Sequence, residues 1–154
     1  MQIEEIKDQI CDVCHKMWQL GWVAANDGNV SVRLEDGTFL ATPTGMSKSF
    51  ITPDKLLRID AKGNVLEGAY KPSSEWIMHT MVYREKPEVN AVLHTHSPYA
   101  SSFAVRNEGV PCILVEMLPT IGGDIPLAKF GMPGTDEVGR EAVKALKGRG
   151  GCLL

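Results

Sequence analysis

Apolar residues recur at three- and four-residue steps through Ile3, Ile6, Ile10, Val13, Met17 and Leu20. That is the spacing of one helix face and predicts a helix over 3–20, with Gly21 as its left-handed stop. Past Trp22-Val23-Ala24 the period changes. Asn26-Asp27-Gly28-Asn29 reads as a tight loop, Val30 to Leu34 alternates like a strand, and Asp36-Gly37 is a strong hairpin turn returning through Thr38 to Ala41. Thr42-Pro43-Thr44-Gly45 is another loop, and Leu56 to Asp60 with Asn64 to Leu66 predicts a second hairpin through Ala61-Lys62-Gly63. Ser73 or Ser74 caps a helix reaching Tyr83 or Arg84, its inner face expected at Trp76, Ile77, Thr80 and Met81. Val89 to Thr95 is a strand, and Ser97-Pro98 opens a helix over Tyr99 to Arg106. Cys112 to Glu116 reads as a further short strand. After the glycine-punctuated stretches 122–124 and 131–134, Thr135 caps a last helix through Lys147, with Val138, Ala142, Val143 and Leu146 inward. Hairpins mixed with helices imply a mainly antiparallel sheet flanked by helices. Gly150 to Leu154 resembles the opening of another buried strand, so the expectation is a truncated polypeptide.

Composition narrows the classes. The 154 residues fit one domain, 1–154, large enough for a real core. A formal charge of −3 argues against nucleic acid, which selects a basic face. No apolar run approaches membrane-spanning length. The N-terminus is acidic and periodic rather than basic and then apolar, which points to the cytoplasm and four reduced cysteines. Cys11-Asp12-Val13-Cys14-His15 has the spacing of a covalent haem attachment. It lies within the first helical pattern, however, and reads better as cysteines on or beside a packed face.

The chemistry concentrates in short motifs. His94-Thr95-His96 follows Ala91-Val92-Leu93, and residues two apart on a strand share a face. Two imidazoles there suit a divalent metal, and Glu75, early on a helix, is the best carboxylate to join them. His79, four residues after Glu75 on the same helical face, reads as orienting the carboxylate or packing rather than as a ligand. Ser73 and Ser74 bring hydroxyls and free N–H groups to a helix start, where the dipole favours an anion. Gly28-Asn29 adds a close backbone and an amide, and Thr44-Gly45 a hydroxyl and a bare N–H. A phosphate held by such neutral groups needs no Lys or Arg.

Gly28-Asn29-Val30-Ser31, Thr42-Pro43-Thr44-Gly45, Pro72-Ser73-Ser74-Glu75 and His94-Thr95-His96 occur in the order found in class II sugar-phosphate aldolases of the fuculose-phosphate type. The chain resembles that family, which also holds ribulose-phosphate 4-epimerases and the adducin head domain. The resemblance implies a three-layer α/β/α fold and one Zn2+ per subunit, held by Glu75, His94 and His96. It implies cleavage of a ketose 1-phosphate, such as L-fuculose 1-phosphate, to dihydroxyacetone phosphate and an aldehyde. Gly28, Asn29, Thr44, Gly45, Ser73 and Ser74 would then hold the substrate phosphate, with Glu75 as acid/base, in a homotetramer. Glu75 leans toward aldolase, because the epimerase branch typically carries Asp there. An adducin-like binding module stays as the non-catalytic alternative. Two departures accompany the likeness: the family's third zinc histidine lies beyond Leu154, and Val115-Glu116-Met117 stands where fuculose-type aldolases tend to carry Tyr.

Overall fold

The computed structural model describes residues 2–154. Helix α1 (Ile3–Gln19) is followed by strands β1 (Asn29–Arg33) and β2 (Phe39–Ala41), two single 3-10 turns, and strands β3 (Leu57–Ile59) and β4 (Val65–Glu67). Then come α2 (Trp76–Glu85), β5 (Ala91–His94), α3 (Pro98–Val105), α4 (Met117–Ile121) and α5 (Asp136–Ala145). The five strands form one sheet in the order β4-β3-β2-β1-β5. Every neighbouring pair is antiparallel, as the alternating hairpin pattern predicts.

Strand alternation builds two cores from the same strands. Val30, Leu40 and Leu56 point to one side and pack with Ile10, Cys11, Cys14 and Met17 of α1. Phe39, Ala41, Leu57 and Ile59 point to the other and pack with Trp76 and Tyr83 of α2. There the Phe39 ring meets Trp76 edge-on, with centroids 5.1 Å apart. Helix α5 lies against α2, turning Gly139 and Ala142 inward, so the layers run α1, sheet, then helices. Among the described residues no helix is long and apolar enough to cross a membrane.

The cysteine motif belongs to the α1 core. Cys11 and Cys14 are buried, and burial pushes their thiols up to about 11 and about 12, which keeps them protonated. His15 bonds the Ile51 carbonyl through Nε2 at 2.8 Å.

Three expectations need correction. Cys112–Glu116 is not a strand: Ile113, Leu114 and Val115 are exposed, and the segment turns directly into α4. β-Branched composition does not make a strand without an edge to pair with. The inner face of α2 is Trp76, Met78, His79, Val82 and Tyr83, whereas Ile77 is exposed and Thr80 and Met81 are half-buried. Hydrophobicity alone selected Ile77 and passed over a buried histidine whose polar atoms are satisfied by partners from the sheet. Finally, β5 ends at His94, so His96 lies beyond the strand, where its N–H donates to the Trp22 carbonyl at 2.8 Å.

Candidate active site

β1 presents Asn29 and Ser31 to the α2 side, and Glu75, at the N-cap of α2, answers with His79 and Tyr83 of the helix, spaced four residues apart. The two rows mesh. Asn29 Nδ2 donates to Glu75 Oε2 at 2.5 Å, and Asn29 Oδ1 meets His79 Nε2. Ser31 Oγ lies 2.7 Å from His79 Nδ1 and 2.8 Å from Tyr83 Oη, whose proton also reaches the Ser31 carbonyl at 2.9 Å. Register then brings the third row in. β5 pairs His94 opposite Asn29, and His94 Nδ1 stands 2.7 Å from Glu75 Oε2.

The electrostatics follow the bonds. The His94 hydrogen bond, with the one from Asn29, pulls the Glu75 carboxyl down to about 2, against the burial that would raise it. Burial pulls His79, only 2% exposed, down to about 4, so its imidazole is neutral at ordinary pH. The site therefore combines an ionised carboxylate with a neutral buried histidine.

Gly28, Asn29, Thr44, Gly45, Ser73 and Ser74 all line one cavity of about 390 Å³, together with Asp27, Glu75 and His96. All six expected anion-binding residues thus meet, although they come from three separate loops. An isolated antiparallel bridge at Pro43 and Pro72 ties the second loop to the third. Its hydrogen bond is the one that Thr44 N donates to the Lys71 carbonyl at 2.9 Å. The glycines are required for different reasons. Gly28 has φ +70°, and a Cβ there would lie 2.6 Å from Val23 and 2.7 Å from the His94 carbonyl. Gly45 also has φ +70° but faces open space, so only its backbone conformation calls for glycine. Ser73 Oγ accepts the Glu75 N–H at 3.2 Å, while Ser74 is exposed.

Glu75, His94 and His96 supply two imidazoles and a carboxylate, a donor set suited in kind to a catalytic zinc. The His94 and His96 rings lie side by side with centroids 4.8 Å apart. Among the described residues, however, no three His, Cys, Asp or Glu side chains form a metal-holding group. Glu75 and His94 are closed on each other by their hydrogen bond, and His96 Nδ1 lies 3.7 Å from Asp27 Oδ2. The residues fit the metal by the chemistry of the donor set, and in this arrangement Glu75 and His94 are bonded to each other.

Sequence reading missed Ser31, Tyr83 and Asp27, and it gave His79 no definite part. A signal for the first two was present: Ser31 is a hydroxyl between two apolar strand residues, and Glu75, His79 and Tyr83 repeat at helical spacing. Asp27 carried no such mark.

The Class II Aldolase and Adducin N-terminal domain family matches residues 8–154. An L-fuculose phosphate aldolase from Escherichia coli is 36% identical over 154 residues, covering all of this chain and 71% of the relative. A 5-methylthioribulose-1-phosphate/5-deoxyribulose-1-phosphate aldolase from Rhodospirillum rubrum is 34% identical over 149 residues, covering 97% of this chain and 66% of that protein. A solved L-fuculose 1-phosphate aldolase superposes with a TM-score of 0.85 at 30% identity, over 94% of this chain and 68% of that one.

Proposed function

Since the chain belongs to the class II aldolase and adducin family and is an aldehyde-lyase, we propose that it cleaves a ketose 1-phosphate to dihydroxyacetone phosphate and an aldehyde, with one zinc ion. The observation that carries this reading is the single cavity in which the hydroxyl, amide and glycine residues of three segments converge beside Glu75. Thr44, Ser73 and Ser74 hydroxyls, the Asn29 amide and the backbone N–H groups of Gly28 and Gly45 would hold the phosphate. Glu75, His94 and His96 would hold the metal, which when bound supplies a Lewis acid for the ketose carbonyl.

Glu75 is the proton carrier in this reading. Cleavage takes a proton from the hydroxyl on the aldehyde side and later returns one to the carbon left on dihydroxyacetone phosphate. A carboxylate at the cavity wall is placed for such transfers. Its basicity is adjustable, because the His94 hydrogen bond is the largest influence holding it at about 2. Withdrawing His94 would raise the carboxyl toward its ordinary range and make it a better base.

The candidate aldehydes are L-lactaldehyde, from L-fuculose 1-phosphate, and methylthioacetaldehyde or acetaldehyde, from the substrates in the name of the 34% identical relative. Zinc-loaded protein should be assayed with L-fuculose 1-phosphate and with 5-methylthioribulose 1-phosphate in parallel. Cleavage of neither would reject the reading, and the faster one names the substrate. We also propose a homotetramer, as the family resemblance implies; exposed Tyr99, Val105, Ile113 and Phe130 offer apolar surface for contact between copies, and light scattering tests it.

A further inference from the structure

We propose that His79 is a positioning residue: carrying its proton on Nε2, it fixes the Asn29 amide so that the NH2 end, not the carbonyl, faces Glu75 and the cavity. This rests on the role assigned above to Glu75 and deepens it.

The hydrogen bonds admit one direction. An ionised carboxylate only accepts, so the Asn29 atom 2.5 Å from Glu75 Oε2 is the amide nitrogen. That leaves Asn29 Oδ1 against His79 Nε2, and a carbonyl also only accepts, so Nε2 bears the proton. A neutral imidazole has one N–H, which makes Nδ1 an acceptor, and Ser31 Oγ at 2.7 Å donates to it. Tyr83 Oη stands behind Ser31, its one proton shared between Ser31 Oγ at 2.8 Å and the Ser31 carbonyl at 2.9 Å. Each bond sets the polarity of the next, and the run ends on the carboxylate.

The alternative arrangement is costly. Turning the amide over sets a carbonyl against a carboxylate and an NH2 against an imidazole N–H. His79 is 2% exposed and Asn29 6%, so solvent does not compensate the mismatch. Burial of His79, which keeps it neutral, supports the single-proton assignment. The amide nitrogen carries two hydrogens and spends one on Glu75, so the second remains for an anion in the cavity that Asn29 lines. His79 thus touches no reacting atom and acts through Asn29.

The test joins a direct and a kinetic measurement. Nitrogen-15 histidine spectra of the metal-free protein at neutral pH should show His79 as the Nε2–H tautomer; finding Nδ1–H overturns the proposal. In the zinc-loaded protein, His79→Leu should lower kcat about ten- to a hundredfold, the size typical of losing an orienting partner near a metal site. His79→Gln, whose amide N–H can replace Nε2–H, should recover most of that loss. Equal turnover in the Leu and Gln variants would assign His79 to packing and reject the proposal. If His79→Leu does not fold, the wild-type tautomer decides alone. If the parent cleaves no ketose 1-phosphate, the aldolase reading fails while the tautomer still decides this one.

Discussion

The two faces of the central sheet are made by the same strands and behave as different materials. On the α1 face Val30 and Leu40 pack against Ile10, Cys14 and Met17 in an apolar cluster, with Lys48 buried beside Cys14 and donating to the Met46 carbonyl. One residue along β1, on the α2 face, Asn29 and Ser31 join His79, Tyr83 and Glu75 in a bonded polar series among aromatic rings. A buried polar group is tolerated only where it is partnered, so the α2 face needs complementary register as well as complementary volume. The dry face provides rigidity, and the polar face uses it to hold side chains in one orientation.

The largest separation of the two faces should come from Glu75→Gln. We expect turnover to fall about 10²- to 10⁴-fold, the usual worth of acid–base catalysis, while far-UV circular dichroism stays native. Activity retained within a few-fold would remove Glu75 from the chemistry. Leu40→Ala probes the opposite side. It should cost about 2–5 kcal/mol in urea unfolding, with kcat per folded molecule unchanged. A selective loss of kcat there would show that the faces are coupled.

Acid should weaken the polar face in metal-free protein, in addition to the surface carboxylates such as Asp36 that hydrogen bonds hold low. His79 titrates at about 4 when folded against its ordinary 6.5, so the unfolded chain takes the proton first. Its contribution is complete above pH 6.5 and is lost as pH falls through that value toward 4. Glu75, at about 2 against 4.5, adds a loss from pH 4.5 downward. Together the decline should be on the order of a few kcal/mol, and denaturant midpoints from pH 7 to 3 measure it. Stability that rises on acidification would contradict both assignments.

Smaller effects are expected at the rims. Phosphoglycolate should raise the melting temperature of zinc-loaded protein, since a ligand that binds only the native state stabilises it. Ser74→Ala should shrink that shift, and an undiminished shift would take Ser74 out of the anion site. The smallest effect is reserved for His15→Ala, which deletes one bond to the Ile51 carbonyl. It should cost about 1 kcal/mol in thermal unfolding and leave zinc content by elemental analysis unchanged.

What the sequence determined by itself was whatever repeats within a few residues. The 3.6 period of α1, the alternation of Val30 to Leu34, and the turns at Asp36-Gly37 and Lys62-Gly63 are local consequences of backbone geometry, and they led directly to an antiparallel sheet. Short motifs likewise mark Glu75, His94 and the three loops in the sequence. Tertiary structure decided the partnerships. Asn29 and Glu75 are 46 residues apart, Ser31 and His79 are 48 apart, and only strand register and the seating of α2 bring them within hydrogen-bond reach. The same seating turned Ile77 outward and His79 inward, and the lack of a paired edge left Ile113 to Val115 without a strand. Periodicity acts along the chain, whereas burial and hydrogen-bond satisfaction depend on what packs across it.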